Sequence, residues 1–205
     1  MHLIKMSFNQ NNWEKPSGLD CKCRSYFKGV YYEWQNSFAW EEWNLSKSRI
    51  LEDGYQYGFV QAVHNDDKLR NKLFTDVVLF TSVCTDGEIP KNFIIGQIKE
   101  LETLSYNASR IAREKLNQNG VLLQMENEVK EVNGNTVAFS NNINTCINIR
   151  YKPENIKLLW GKVNSSILQI NLNGNFSFKD IFLLKKNTEE KINNLIEKFD
   201  ITFKP

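Results

Sequence analysis

The densest run of chemistry-bearing side chains is residues 30–43, VYYEWQNSFAWEEW, where six of fourteen positions are Tyr, Phe or Trp. Aromatic side chains bury large areas, so part of this set belongs to a core. Three tryptophans and two tyrosines exceed what one short core edge needs. The surplus suits a cage in which a planar ligand stacks, at ~1–3 kcal/mol per stacked base. Glu41 and Glu42, between Trp40 and Trp43, serve either as the first turn of a helix or as acceptors for the edge of such a ligand. Adjacent carboxylates on a helix face two directions, which makes them a poor general acid–base pair.

A second candidate set is basic. Lys and Arg total 26 against 24 Asp and Glu, a net charge of +2, so a polyanion would be held by a local patch and not by a global field. Lys22, Arg24, Lys68, Arg70 and Lys72 lie in loops flanking the aromatic stretch and are the candidates for phosphate contacts. The alternative for each is an ordinary solvated charge. His64, one of two histidines, reads as a polar residue at the end of a strand. Glu128-Val129-Lys130 has the E-x-K spacing of metal-dependent nucleases, a triple that also arises by chance in a lysine-rich chain. A phosphate-binding glycine loop, H-E-x-x-H, a nucleophile elbow and H-x-E with a cysteine pair are all missing from the sequence. Cys21, Cys23, Cys84 and Cys146 lack zinc spacing and read as free thiols of a reducing compartment. No metal and no cofactor is expected.

These side chains must be positioned by a core, and 41% hydrophobic residues are enough to build one. The organising stretch is Phe74–Glu102. Val77-Val78-Leu79-Phe80 and Phe93-Ile94-Ile95-Gly96-Gln97-Ile98 read as strands joined by a polar loop. Both are apolar at nearly every position, which predicts burial on two faces. Gly96 predicts a bulge or a close backbone approach. Residues 1–12 read as frayed or as a short first strand, and Tyr55–Val63 as a strand. Ser105 caps a helix over about Tyr106–Asn117, with Ala108, Ile111, Ala112 and Leu116 on its apolar face and Gly120 as its stop. Val121–Met125 reads as a strand or a helix extension. Asn133-Gly134 predicts a hairpin between Glu128–Val132 and Thr136–Phe139. Asn144–Tyr151 reads as an alternating strand and Pro153–Trp160 as a short helix. Asn173-Gly174 predicts a second hairpin between Ile167–Leu172 and Phe176–Phe178. Thr188–Phe199 reads as an amphipathic helix whose stripe is Ile192, Leu195, Ile196 and Phe199. The first residues have no signal-peptide core and no run is long enough to span a bilayer, so a cytoplasmic protein with no membrane partner is expected.

The order Trp13…Pro16-Ser17-Gly18, Trp40-Glu41-Glu42-Trp43, Tyr57-Gly58-Phe59, Asp76-Val77-Val78-Leu79-Phe80 and Ile94-Ile95-Gly96-Gln97-Ile98 resembles the EVE-like branch of the PUA superfamily. Those DNA-reading domains, found in modification-dependent restriction proteins of the Mcr type, carry a strand of the form D-x-V-x-Y/F followed by x-x-G-x-I. Phe80 stands where the pattern often has Tyr. The resemblance covers residues 13–125 and leaves 126–205 as an extension or second lobe. It implies an α+β fold, a curved mixed sheet closing toward a barrel with flanking helices. It also implies a base flipped from double-stranded DNA and read in an aromatic pocket. Tyr31, Trp34, Trp40, Trp43 and Tyr57 are the candidate cage, with Asn65 and Ser82 as polar readers. The expected function is a non-catalytic specificity module for modified, methylated DNA in a restriction system, partnered by a nuclease or motor domain or subunit. An RNA-binding or protein-interaction module on the same barrel is the alternative.

Overall fold

Two long strands form the spine of the sheet: β3 (Leu73–Val83) and β4 (Lys91–Thr103), 11 and 13 residues long. Typical strands have about 5–6 residues. The structure is a computed structural model that describes residues 1–19, 32–83, 91–161, 165–170, 181–183 and 186–199. On β3, Val77 and Leu79 join a core cluster with Ile4, Met6, Ile95 and Ile98. Val78 and Phe80 join a different cluster with Leu3, Ile94, Ile192 and Ile196. Alternate residues of one strand thus enter two cores, as the unbroken apolar run requires.

β1 (His2–Met6) lies parallel to β3, with Ile4 opposite Leu79, and β8 (Ile181–Leu183) lies antiparallel on the far side of β1. The other edge of β4 is shared in series by three short strands. β5 (Ile149–Tyr151) takes Glu102 and Thr103, β6 (Ile156–Leu158) takes Gly96 to Ile98, and β7 (Gln169–Ile170) takes Asn92 and Phe93. β2 (Gln56–Gly58) pairs with β5. The order is β2-β5-β4-β3-β1-β8, and among the described residues no pairing joins the two ends. The fold is α+β with an open mixed sheet. Residues on both sides of position 125 contribute strands to it, and that position falls inside the helix Val121–Glu131.

The β3–β4 register shifts between Leu79 and Phe80: Leu79 faces Gly96 and Phe80 faces Ile94, leaving Ile95 as the extra residue of a bulge. The Ile95 carbonyl, released from the ladder, accepts from Leu159 N at 2.9 Å and Trp160 N at 3.0 Å. Gly96 is the close approach its position in the strand predicts. A Cβ there would lie 2.3 Å from the Lys157 carbonyl oxygen.

Seven helices are described: α1 (Tyr32–Asn36), α2 (Gln61–Asn65), α3 (Tyr106–Gln118), α4 (Val121–Glu131), α5 (Thr136–Asn142), α6 (Ser165–Leu168) and α7 (Lys186–Phe199). Ser105 caps α3, accepting from Ala108 N at 3.2 Å, as its sequence position predicts. Gly120, at φ +74°, ends α3 and opens α4. Helices α3 to α5 cover a third core, which holds Trp40, Trp43, Tyr57 and Phe59. No described helix is long and apolar enough to cross a membrane. Cys146 is a buried free thiol, pushed up to about 11 by burial; the other three cysteines lie outside the described residues.

Several expectations are corrected. The Asn133-Gly134 hairpin is a helix–turn–helix instead. Val121, Leu122, Met125 and Val129 recur at helical spacing and bury one face of α4, while Asn135 caps α5 by accepting from Ala138 N at 3.0 Å. The strand over Tyr55–Val63 is only β2, because α2 begins at Gln61. The strand over Asn144–Tyr151 is only β5, preceded by a 3-10 turn at Ile143–Thr145. The helix over Pro153–Trp160 is one 3-10 turn, Pro153–Asn155, before β6 pairs with β4. On α3 the stripe is rotated: Ser109 is buried and Ile111 is 42% exposed. Ile167 and Leu168 lie in α6, and the Asn173-Gly174 turn falls outside the described residues. Helix α7 buries Ile192 and Ile196 as expected.

Two glycines carry different constraints, and alanine separates them. Gly96→Ala forces backbone apart and is expected to cost roughly 3 kcal/mol. Gly120→Ala meets nothing within 4 Å and pays only for its left-handed φ, about 1 kcal/mol. Urea midpoints of the two variants measure the difference, and equal losses would refute the close-approach reading of Gly96.

Candidate functional site

The segment between β1 and β3 builds a cavity beside the sheet. Where β1 ends, Asn9 organises a turn. Its Oδ1 accepts from Asn11 N at 2.7 Å and Trp13 N at 2.9 Å, and its Nδ2 donates to Lys15 O at 2.9 Å and Glu42 Oε1 at 2.8 Å. This holds Asn12 and Trp13 at φ 54° and 57°, a conformation unusual for a bulky residue. Trp13 is fully buried and its Nε1 donates to Ser7 O at 2.9 Å, which fixes Ser7 at the cavity wall.

Glu41 and Glu42 take separate roles. Glu42 is fully buried; it accepts from Asn9 Nδ2, from Ser17 N at 3.1 Å and, through Oε2, from Ala39 N at 2.8 Å, thereby closing the 3-10 turn Trp40–Trp43. Glu41, one residue earlier, lines the cavity.

Two asparagines place the opposite wall. Asn44 Oδ1 accepts from Phe59 N at 2.8 Å and its Nδ2 donates to Phe59 O at 2.7 Å. Asn148 does the same for Val60, at 2.8 Å and 2.9 Å. The backbone leaving β2 is therefore bonded to side-chain amides, and the chain turns directly into α2, which carries Gln61 and His64. Gly58 leaves room for this arrangement, since a Cβ there would stand 2.8 Å from Asn44 Oδ1.

The cavity encloses about 220 Å³. Its rings are Tyr32, Trp40, Phe59 and His64; its carboxylates are Glu33 and Glu41; Ser7, Gln61, Asn142 and Thr145 supply neutral polar atoms. Trp40 packs on Phe139 at 4.9 Å and edge-on to Phe38 at 5.5 Å, so the ring is held by the third core. Tyr32 donates to Ala138 O at 3.3 Å, and burial raises its hydroxyl to about 12. His64 lies 5.8 Å from Phe59; burial and then the charge of Arg70 lower its pKa, against Asp67. Lys5, buried on β1, is brought down to about 8 by burial, with Glu33 opposing. The Ser7 hydroxyl is buried and has no hydrogen-bond partner among the described residues.

Of the expected cage, Trp40 lines this cavity. Trp43 is fully buried in the third core, donating to Glu128 Oε2 at 2.6 Å, and Tyr57 is buried there too, its hydroxyl donating to Asp53 Oδ2 at 2.7 Å. Trp34, on α1, is half-buried and does not line the cavity. Tyr31 lies outside the described residues. Asn65 accepts from Gln61 Nε2 at 3.0 Å on α2, and Ser82 donates to Asn92 Oδ1 at 2.7 Å across the β3–β4 hairpin; neither lines the cavity. Lys22 and Arg24 lie outside the described residues. Lys68 and Lys72 are exposed. Arg70 lies over the Tyr106 ring at 3.9 Å and 3.7 Å from Asp67, close enough to His64 to shift it.

His64 is no strand end: it sits on a helix and enters the site. Ser7, Tyr32, Glu33 and Phe59 were not among the site residues expected from the sequence. Tyr32 and Glu33 belong to the aromatic stretch, which was the available signal; nothing local marks Ser7. Glu128 of the E-x-K triple is occupied by Trp43 and Gln124, and Lys130 pairs with Glu126 at 3.3 Å. No group of three or more potential metal ligands occurs among the described residues. No family model, no curated protein and no solved structure matches this chain.

Replacing Asn44 or Asn148 by Ala strips two bonds from buried backbone and is expected to cost roughly 2–4 kcal/mol each. Exposed Asn142→Ala is the control, and chemical denaturation compares them; losses below that of the control would show that the amides are dispensable.

Lys5 makes stability depend on pH. Its folded pKa of about 8 lies below the ordinary 10.5, so across that window the unfolded chain binds more protons and stability rises with pH. Wild type is expected to gain about 2–3 kcal/mol relative to Lys5→Met across that window. Parallel stability profiles for the two proteins would contradict the assignment.

Proposed function

We propose that this chain is a non-catalytic nucleic-acid-binding specificity module that reads a modified base turned out of double-stranded DNA. The observation that carries this reading is the cavity of about 220 Å³ whose walls combine aromatic rings with two carboxylates and a buried hydroxyl that has no partner among the described residues. Ligand pockets for drug-sized molecules occupy about 300–1,000 Å³. A smaller space walled by Tyr32, Trp40 and Phe59 suits one planar ring system. Stacking contributes ~1–3 kcal/mol per base, which works against the few kcal/mol of extrusion. A buried methyl adds only ~0.8 kcal/mol, a several-fold preference, so strong discrimination needs edge hydrogen bonds as well.

Charge supports the same arrangement. Carboxylates at Glu33 and Glu41 repel phosphate, so the cavity takes the base and not the backbone. Lys68 and Lys72 are exposed on the loop that follows His64 and suit phosphates passing the mouth. The EVE-like, PUA-type barrel belongs to this proposal as its finer fold; the described residues form an open mixed sheet. A nuclease or motor subunit would supply the chemistry of a restriction system.

Fluorescence anisotropy on methylated and plain duplexes tests the reading. Wild type is expected to prefer a methylated duplex. Gln61→Trp, which fills the cavity from its rim, is expected to abolish the preference while retaining salt-dependent binding of any duplex. Lys68→Ala and Lys72→Ala are each expected to weaken all duplexes alike and lower the salt slope by about 1. A wild type indifferent to modification, or a Gln61→Trp protein that keeps the preference, would overturn the proposal.

A further inference from the structure

We infer that the Arg49 guanidinium binds a small monovalent inorganic anion of the halide class inside the protein, beside β2 and β5, independently of the base-reading function proposed above. Arg49 ends the 3-10 turn Lys47–Arg49, and its side chain is fully buried. Its Nη2 donates to the Cys146 carbonyl at 2.9 Å. Nε and Nη1 are buried too and have no hydrogen-bond partner among the described residues. A guanidinium carries five N–H donors and cannot be deprotonated in proteins, so these donors come with a full positive charge.

The surrounding side chains do not neutralise that charge. The groups that act on it are Cys146 and Tyr151, and no carboxylate among the described residues does so. Either group would have to ionise to serve as the counter-ion. Burial pushes the Cys146 thiol up to about 11, against the charge of Arg49, and raises the Tyr151 hydroxyl against the same charge. The Tyr151 hydroxyl is moreover engaged as a donor to the Asn44 carbonyl, which also accepts from Gln56 Nε2 at 2.9 Å. Both groups are neutral near pH 7, and one carbonyl dipole faces a whole cation. A buried charge left without a partner is strongly destabilising. An enclosed anion offsets that cost through charge-assisted hydrogen bonds.

The same facts limit the ligand. One positive charge calls for one negative charge, and a side chain closed off from solvent calls for a small ion. Chloride and bromide meet both conditions. Sulfate brings a second charge and greater bulk, and a water molecule satisfies the donors while leaving the charge as it was. The site adjoins the Asn44 backbone, whose own side chain holds Phe59. A bound anion thereby reinforces the part of the sheet from which Phe59 reaches the cavity.

Urea unfolding at constant ionic strength tests the inference, with sodium bromide replacing sodium gluconate, whose anion is too bulky for the interior. Wild type is expected to gain about tenfold in its folding equilibrium constant for each tenfold rise in bromide above the dissociation constant. Arg49→Met keeps an unbranched side chain and removes the charge, and its stability is expected to be independent of bromide. Crystals of the wild type grown in bromide are expected to show an anomalous peak within hydrogen-bonding distance of the guanidinium. Wild-type stability that does not respond to bromide would overturn the inference. A response of the same size in Arg49→Met would overturn it as well and mark an adventitious ion only. Where Arg49→Met lacks a cooperative melt, the crystal decides, and a water in place of bromide at Arg49 refutes the site.

Discussion

The side-chain amides of Asn44 and Asn148 are the constraint on which the site depends. Phe59 and Val60 leave the sheet while still buried, and a buried peptide group without partners is costly. An amide side chain carries both an N–H donor group and a carbonyl acceptor, so it can stand in for a neighbouring strand at a single residue without continuing the ladder. Two such groups, one on each residue, allow β2 to stop and α2 to start within two positions. Phe59 and His64 reach the cavity because of that switch. Gly58 is part of the same device, since the Asn44 amide occupies the space a Cβ would need.

The other wall is tied to the sheet through the bulge. The extra residue Ile95 turns its carbonyl out to Leu159 and Trp160, and the Trp160 ring meets Phe8, Trp13 and Phe93 edge-on at 6.0–6.1 Å. Trp13 in turn holds Ser7. A chain of packed rings and hydrogen bonds thus runs from the β3–β4 hairpin to Ser7. The cavity is framed by packed, hydrogen-bonded elements on both sides, as positioning of a ligand edge requires. Glu42 closes the frame by linking the Asn9 turn, Ser17 and the start of the Trp40 turn through one buried carboxylate.

Charge and apolar area are divided between inside and outside. Tryptophan 43, Tyr57 and Phe38 serve the third core, and Trp40 belongs to that core while also lining the cavity. Carboxylates line the cavity, while Lys68 and Lys72 remain in solvent. Arg70 is laid against Tyr106 and Asp67, which leaves it as a fixed positive charge near His64 and not as a freely sweeping side chain.

The sequence by itself determined the elements whose signals are local and redundant. The β3–β4 hairpin, its burial on two faces, the close approach at Gly96, the Ser105 cap, the Gly120 stop and the terminal amphipathic helix all follow from period and turn chemistry acting over a few residues. Tertiary structure decided the rest. Asn133-Gly134 is a hairpin signal in isolation, yet four apolar residues at helical spacing had a core to bury against, and that area outweighs a turn preference. Among the aromatics, type and density marked the right stretch, but a core tryptophan and a cavity tryptophan are the same residue until their neighbours are placed. Ser7, Glu33 and Phe59 come from separate elements and meet only after the crossover from β1 to β3 folds back. Asn44 and Asn148 were invisible because asparagine is common throughout the chain, and only burial beside an unpaired backbone makes one amide structural and another solvent-facing.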